Sequence, residues 1–426
     1  MLVQFEVNNF CSIKDTVTFS LKSEKKDSHS FPIRKFDLLQ SVVIYGANAS
    51  GKSNLLKAMK MMASLVLNKK KVISVTDALE HQPFLLNSET ETASTSFEMV
   101  FIIDKIIYRY GFEYDSQMIY AEWLFSDEKG TEAKLFYRDV DDEFYVNPTK
   151  FTEGKGLAKK TLKNHLFLWK CATDNGEISQ KIQQWFFNFN MIDGLDDNAY
   201  LINATYKLGD NSFKKNILEL VKIADLGIED IDTQEEELRL SKGFLSLPNV
   251  IQKAFIEDGL NTLKKSTTTL HEKFDKNNNL IGNVEFNLED NESRGTKKFF
   301  ALSAPILDTL KNGKVLVVDE LDASLHPILT QHLIELFHNK ELNQKNAQLI
   351  FATHDTNLLQ NHLLCRDQIW FAEKDKYGAT AIYSLLEYKE NRTRKDTNKE
   401  KHYLQGRYGA IPYIGEFHFE DIENES

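Results

Sequence analysis

The sequence predicts an α/β domain that is split into two halves by a mainly helical insertion. Three observations lead to this prediction. Continuous apolar runs, typical of buried strands, occur at 41–45, 315–318 and 349–352. The stretch 151–282 instead has charged sequence with helical periodicity. Strand-forming sequence therefore lies on both sides of a helical segment.

Residues 1–150 are expected to form mostly strands with one helix. Alternating apolar residues at 97–102 and again at 106–112 predict an antiparallel β lobe, and 54–62 has the composition of a helix. This region is predicted to be the first half of a split domain.

The remaining two parts are the insertion, 151–282, and a second α/β half, 283–426. Pro327 is placed to begin a helix between the two late apolar runs. The acidic run 234–237 within the insertion is interpreted as a solvated loop or helix face.

Composition narrows the class of protein. A net charge of −11 argues against coating nucleic acid by bulk electrostatics, although a local basic groove stays compatible with it. Cys11, Cys171 and Cys365 lie far apart without metal-ligand spacing, which favours a reduced, cytoplasmic setting. The first residues alternate like a strand, and no apolar run approaches the ~20 residues that span a bilayer. We therefore expect a cytoplasmic protein without membrane segments.

The stretch Gly46–Ser53 matches the P-loop pattern in full and stands between a predicted strand and a predicted helix. Backbone N–H groups of such a loop, together with the helix N-terminus, bind phosphates. Lys52 would reach the β- and γ-phosphates of ATP, and the Ser53 hydroxyl would ligate Mg²⁺. The predicted nucleotide-binding residues are Gly46, Asn48, Gly51, Lys52, Ser53 and Asn54.

Two acids follow the apolar run at 315–318. Asp319 at the strand end is expected to hold Mg²⁺, and Glu320 to orient or deprotonate the attacking water. Two acids after an apolar strand are common in proteins. This pair indicates a nucleotide site because the same chain contains a P-loop.

More than half of the chain separates Lys52 from Asp319. With the segments 46–54, 292–296, 319–327 and 353–355, in this order, the chain resembles the split ATPase heads of the SMC, Rad50 and RecF-like ABC ATPases. The resemblance implies an ABC-type head with an antiparallel β lobe, and two composite ATP sites formed when two copies meet head to tail.

The resemblance also assigns roles. Ser293 and Gly295 resemble the ABC signature that contacts the γ-phosphate bound by the other protomer, although Glu-Ser-Arg-Gly departs from the usual Leu-Ser-Gly-Gly. A helix N-cap without a role across the dimer is the alternative for Ser293. Asp322 matches the D-loop acid and His354 the γ-phosphate-sensing switch histidine. Gln82 is the candidate Q-loop glutamine near Mg²⁺.

A closer resemblance covers nearly the whole chain. The segments 82–86, 292–296, 319–327 and 403–412 resemble those of bacterial abortive-infection and anti-phage ATP-binding proteins, which are related to the ATPase half of overcoming-lysogenization-defect nucleases. This resemblance implies a separately encoded effector, commonly a nuclease. No nuclease is expected in this chain, because the residues after His354 lack the required acid cluster. The tail 403–412 suggests a tight docking element.

Three functions follow from these patterns. The leading hypothesis is a regulatory ATPase of phage defence that acts as a homodimer or larger assembly. The alternative is a DNA-binding maintenance ATPase of the RecF type, and the third is a scaffold with a degenerate site. The candidate basic stretches for DNA are Lys69–Lys71, then Lys155, Lys159, Lys160 and Lys163, and finally Arg392, Arg394 and Lys395.

Overall fold

The computed structural model describes residues 1–24, 29–141, 144–193, 198–224, 227–237, 263–360, 363–388 and 398–412. The basic stretch Arg392, Arg394 and Lys395 lies outside the described residues. The chain divides into two compact units, which we name by their order along the sequence. The flanking unit comprises Leu2–Gln183 with Thr356–Ser426, and the middle unit comprises Gln184–Asp355 with Met1.

Most strands of the flanking unit belong to the N-terminal region. They are β1 (Leu2–Asn8), β2 (Val17–Ser20), β3 (Ser30–Ile33), β4 (Phe36–Leu39), β5 (Ser41–Tyr45), β6 (Thr95–Ile103), β7 (Ile106–Tyr114), β8 (Ile119–Asp127), β9 (Glu132–Asp139) and β10 (Tyr145–Val146). Its first helices are α1 (Lys52–Val66), α2 (Phe167–Thr173) and α3 (Glu177–Phe187), the last of which crosses into the middle unit.

An antiparallel sheet dominates the flanking unit. Its strand order is β10-β9-β8-β7-β6-β1-β2, and neighbouring strands run in opposite directions. The meander predicted at 97–102 and 106–112 is confirmed, because β6 and β7 pair from Thr95–Tyr114 to Ile103–Ile106. Aromatic rings fill one side of the sheet, where Phe97 lies within 5.8 Å of both Phe112 and Tyr114.

The strand before the phosphate loop is buried along its whole length. All five residues of β5 are buried, as the apolar run at 41–45 predicts. It pairs in parallel with β17 (Ile369–Lys374), which pairs antiparallel with β18 (Thr380–Ser384). Helix α1 follows the loop and buries Leu55, Leu56, Met59, Met62 and Val66, an apolar stripe with helical spacing.

The middle unit has its own strands and helices. The strands are β11 (Phe189–Asp193), β12 (Asp230–Glu237), β13 (Leu263–Phe274), β14 (Leu280–Asn287), β15 (Val315–Asp319) and β16 (Gln348–Ala352). The helices are α4 (Asn198–Lys207), α5 (Asn211–Ile223), α6 (Leu288–Asn291), α7 (Arg294–Asn312) and α8 (Pro327–His338). Strands β11, β15 and β16 are parallel neighbours, and Pro327 is the first residue of α8 as predicted.

The predicted helical insertion contains an antiparallel sheet as well as helices. Strands β12, β13 and β14 pair in that order over long stretches. The interpretation of 234–237 as a loop or helix face is therefore wrong, since these residues end β12. The described side chains of this edge strand alternate in burial, because Ile231 is buried whereas Asp232 and Gln234 are exposed, so the solvent face of the strand carries polar residues. The three-part division at 150/151 and 282/283 stays a prediction.

Candidate functional site

The phosphate loop has a backbone that requires its glycines. A Cβ on Gly46 would lie 2.4 Å from the carbonyl oxygen of Ala372 in β17. Gly51 has a φ of 105°, a left-handed conformation that side chains disfavour, and Ala49 also has a positive φ of 62°. Gly51 is the N-cap of α1 and gives no side-chain cap to the first N–H groups of the helix. These N–H groups are suited to an anion.

Lys52 lies over this loop. The residue is 5% exposed, and its Nζ donates to the carbonyl oxygens of Gly46 at 2.7 Å and Ala47 at 3.1 Å. The ammonium group is thus held at the loop rather than extended into solvent. Ser53 is half-buried and Asn48 exposed, so both sit at the loop surface. This chemistry fits a phosphate chain, with cationic and N–H donors and no carboxylate within the loop.

Three polar side chains outside the motif support the loop, and sequence reasoning missed two of them. Asn54 Nδ2 donates to Ser12 Oγ at 2.6 Å, and Ser12 Oγ is 2.7 Å from Thr380 Oγ1. Thr380 Oγ1 donates to the carbonyl oxygen of Ser50 at 2.9 Å. Thr380 is 5% exposed. Its Oγ1 lies 2.2 Å from the position that a Cβ on Gly51 would take.

Gln82 is tied to the residue next to Ser12. Its Oε1 accepts from Cys11 Sγ at 3.3 Å, its Nε2 donates to Glu80 at 3.0 Å, and its carbonyl oxygen accepts from the Cys11 N–H at 2.7 Å. Burial raises the pKa of the Cys11 thiol, so this sulfur acts as a neutral donor. The Gln82 side chain is exposed, and its predicted role at Mg²⁺ stays a prediction.

The predicted acids lie at the C-terminal end of β15 in the middle unit. Asp319 Oδ1 is buried and has no hydrogen-bond partner among the residues that the structure describes. A buried carboxylate oxygen without a donor is costly, and a hydrated cation would satisfy it. Glu320 is half-buried and has a φ of 49°, a conformation that non-glycine residues adopt at a cost of about 1–3 kcal/mol. The pair therefore fits Mg²⁺ binding.

The predicted D-loop and switch segments are bonded to each other. The N–H of Leu321 donates to the carbonyl oxygen of Ala352 at 3.1 Å. The N–H of His354 lies 3.4 and 3.3 Å from the two carboxylate oxygens of Asp322. His354 itself is exposed. The structure thus brings together the acid pair, Asp322 and His354.

The predicted signature segment joins the same cluster. Ser293 is the N-cap of α7, and its Oγ accepts from the N–H of Thr296 at 3.1 Å. A Cβ on Gly295 would lie 3.0 Å from the carbonyl oxygen of Ser324, so a side chain here would require Ser324 to shift by a few tenths of an ångström. Ser293 is exposed, and Ser324 has a φ of 63°. The N-cap geometry is present, as the alternative for Ser293 expects.

Glu292, just before the signature, is held by the three-stranded sheet of the middle unit. Its Oε1 is 2.6 Å from both Thr269 Oγ1 and His271 Nε2 on β13. Its side chain is 8% exposed. No motif assigns a role to Thr269 or His271, because the contact joins residues more than 20 positions apart. The sheet therefore fixes the chain at the start of α7.

The tail predicted as a docking element packs on the flanking unit. Helix α9 (Lys399–Leu404) places Tyr403 5.6 Å from Tyr45 and 5.5 Å from Phe371, between ring centroids. The carbonyl oxygen of Tyr408 accepts from the hydroxyls of Tyr383 at 2.9 Å and Tyr388 at 2.8 Å. The tail thus covers the strands next to the phosphate loop.

Comparison with protein families matches residues 41–360, about three quarters of the 426-residue chain, to the family described as "AAA domain, putative AbiEii toxin, Type IV TA system". The chain belongs to this family, and it is thus a P-loop AAA-type ATPase related to abortive-infection systems. A search of curated proteins found no match. Within the described part of the chain, no helix combines the length and apolarity needed to cross a bilayer.

Proposed function

We propose that the chain hydrolyses ATP with Mg²⁺ at composite sites formed by two copies of an ABC-type split head. The phosphate loop of one copy and the signature of the other would bind the same nucleotide. The head would consist of 1–150 and 283–426, with 151–282 as its insertion. In this arrangement Ser53, Asp319 and Gln82 act on Mg²⁺.

The observation that carries this proposal is the cluster of Ser293, Gly295 and Ser324 in the middle unit. The N-terminus of α7, where Ser293 and Arg294 are exposed, lies against Ser324, and the positive end of a helix suits a γ-phosphate. Asp322 and His354 belong to the same cluster. Glu320 would activate the attacking water, and His354 would sense the γ-phosphate.

A mixing experiment tests the composite site. We expect Lys52→Ala and Ser293→Arg to abolish ATP turnover when each variant is assayed alone. In a mixture, a heterodimer contains one intact phosphate loop opposite one intact signature. Random pairing should then restore about a quarter of wild-type turnover at equal total protein.

The control is a mixture of Lys52→Ala with Glu320→Gln. If each nucleotide site takes its phosphate loop and its acid from one copy, this pair cannot complement, because each of the two sites in the heterodimer carries one of the two defects. A mixture of Lys52→Ala with an inactive Lys52→Met variant cannot complement. Absence of ATP turnover from the first mixture, although light scattering shows that both variants are dimers, would contradict the proposed head-to-tail site.

The proposed biological role is regulation in a cytoplasmic bacterial anti-phage system, where ATP binding holds or releases a separately encoded effector such as a nuclease. The family description refers to toxin–antitoxin systems, which supports a protein partner. The test is expression with the neighbouring genes of the operon. We expect co-purification of one neighbour and a phage-plating defect that Lys52→Ala removes. Isolation of the chain alone, with unchanged plating, would contradict this role.

Binding to DNA is the second candidate function. The flanking unit exposes Lys155, Lys159, Lys160 and Lys163 within a short stretch, and none of the four has an ion pair within the described residues. An exposed cation cluster of this kind suits a phosphate backbone. The test is a salt-sensitive gel shift, which Lys159→Glu with Lys160→Glu should abolish. By contrast Lys70 pairs with Glu80 at 2.8 Å, so Lys70→Glu serves as a control.

A further inference from the structure

The tail helix α9 (Lys399–Leu404) contacts two segments next to predicted nucleotide-site residues. One segment follows the switch histidine in the chain, and the other leads into the phosphate loop. Both contacts lie within the flanking unit. They are made by Glu400 and Tyr403, which are three positions apart and therefore lie on the same face of the helix. The proposed function gives no task to either residue.

Glu400 binds the segment that follows the switch histidine. Its Oε1 accepts from the Thr356 hydroxyl at 3.3 Å, and its Oε2 accepts from Gln360 Nε2 at 3.2 Å. Thr356 begins the short 3₁₀ helix Thr356–Leu359 and follows His354 by two positions. A carboxylate is a strong acceptor, and here it bonds to residues at both ends of this single turn.

The 3₁₀ helix is also anchored by burial. Its last two residues, Leu358 and Leu359, are 2% and 0% exposed. Further along the chain, the ammonium group of Lys399 donates to the carbonyl oxygen of Leu364 at 3.0 Å. Helix α9 thus contacts the chain at Thr356, where it enters the flanking unit, and again at Leu364.

Tyr403 packs on the residues next to the phosphate loop. Its ring centroid lies 5.6 Å from that of Tyr45 and 5.5 Å from that of Phe371. Tyr45 directly precedes Gly46 in the chain. Phe371 directly precedes Ala372, whose carbonyl oxygen lies 2.4 Å from the position of a Cβ on Gly46. Tyr403 is 6% exposed, so its ring is enclosed at the start of the loop.

We propose that α9 is a positioning element for ATP hydrolysis. Glu400 orients the segment after the switch histidine, and Tyr403 supports the phosphate loop. Both are positioning residues, because each acts through residues next to the predicted site. The inference rests on the proposed ATP hydrolysis, in which His354 senses the γ-phosphate. A single helix that contacts both segments links their positions, as supporting contacts around a catalytic site do.

The two ends of α9 should give different kinetic effects in the full chain. Glu400→Ala removes both hydrogen bonds to the segment after His354 and should lower kcat about five- to tenfold, while KM for ATP stays within about twofold. Tyr403→Leu removes the aromatic contact with Tyr45 and should raise KM for ATP at least about threefold, with a smaller change in kcat. Steady-state phosphate release measures both constants.

Conservative variants and one control separate positioning from folding. Glu400→Gln keeps an acceptor oxygen and should recover most of the lost kcat. Tyr403→Phe keeps the ring, loses only the hydroxyl that donates to the carbonyl oxygen of Ala410 at 3.1 Å, and should have the wild-type KM. Arg407→Ala is the control, because the contact of Arg407 Nη1 with His402 Nε2 at 3.1 Å stays within the tail. It should leave both constants unchanged.

A second measurement requires ATP binding but no hydrolysis. Amide hydrogen exchange of the full chain is followed with and without a non-hydrolysable ATP analogue and Mg²⁺. In the wild type, the analogue should slow exchange at 356–359 and at 399–404 together. In Glu400→Ala, the effect at 399–404 should be lost. Calorimetry should give one analogue site per chain in every variant, which shows that a lower kcat does not come from unfolded protein.

Three results would overturn the proposal. They are wild-type kcat in Glu400→Ala, a loss of kcat in Arg407→Ala equal to that in Glu400→Ala, and an unchanged exchange response at 399–404 in Glu400→Ala. The proposed function fails in a different way. A wild-type protein that binds the analogue but does not hydrolyse ATP would contradict the proposed hydrolysis, and the exchange response would then decide whether α9 is coupled to the nucleotide.

Discussion

The carboxylate of Asp322 accepts a hydrogen bond from the backbone N–H of His354, with N–O distances of 3.4 and 3.3 Å. The sequence resemblance implied that Asp322 acts across a dimer. The structure adds a contact within one chain, since Asp322 holds the backbone that carries His354. The backbone at His354 is therefore tied directly to the segment that carries Asp322.

Replacing Asp322 tests this contact. Asp322→Ala removes the acceptor and should lower ATP turnover about tenfold, while the free energy of unfolding falls by about 1 kcal/mol. Asp322→Asn keeps one acceptor oxygen and should give an intermediate turnover. The measurements are steady-state phosphate release and urea unfolding.

The control for this prediction is Asp308→Ala. Asp308 pairs with Lys314 at 2.7 Å in the same unit, away from the cluster. It should cost stability without lowering turnover. Equal turnover in Asp322→Ala and the wild type would show that the contact has no role in catalysis.

Ser293 has two interpretations, and a pair of variants separates them. As an N-cap, Ser293 can be replaced by Asp at little cost, because Asp is also a good N-cap, whereas Ala costs about 1 kcal/mol. As a γ-phosphate contact, Ser293 cannot be replaced by Asp, because the carboxylate repels the phosphate. We expect Ser293→Asp to unfold like the wild type yet lose ATP turnover more than tenfold. Full ATP turnover in Ser293→Asp would show that Ser293 acts only as the N-cap of α7.

Sequence patterns predicted those strands and helices whose formation depends mainly on residues close together in the chain. The apolar run at 41–45 became β5, and Pro327 began α8. The sheet β12–β14 was missed, because the acidic run at 235–237 that ends its edge strand has the composition of a loop or solvated helix face. Tertiary contacts could not be predicted either. Ser12 and Thr380, for example, are 368 positions apart in the sequence, and no motif links them. The roles of the predicted site residues stay predictions.

Thr380 is expected to support nucleotide affinity without touching the nucleotide. Thr380→Val has nearly the same shape but loses the hydrogen bonds to Ser50 and Ser12, which should weaken ATP binding about five- to tenfold. Thr380→Ser keeps the hydroxyl and should bind ATP like the wild type. Calorimetric titration with ATP and Mg²⁺ measures the difference. Equal weakening by both variants would assign the effect to packing against Gly51.

Lys52→Ala should abolish detectable ATP binding by calorimetry. The side chain is the one cation of the phosphate-loop motif, and burial among the loop carbonyls holds it in place. Lys52→Met keeps the length of the side chain and should also fail to bind, because the loss is one of charge. Unchanged ATP affinity in either variant would contradict the assignment of Gly46–Ser53 as a phosphate loop.

Glu320→Gln should lock the ATP-bound dimer. The substitution keeps the size of the side chain and a similar cost for the positive φ at this position, so the fold should be unaffected. Nucleotide binding should survive because Lys52 and Ser53 are untouched, while loss of the carboxylate removes the base that activates water. Light scattering with ATP and Mg²⁺ should therefore show a stable dimer for Glu320→Gln, and monomers once Lys52→Ala is added. A Glu320→Gln protein that binds ATP but stays monomeric would contradict the composite site and leave nucleotide binding intact.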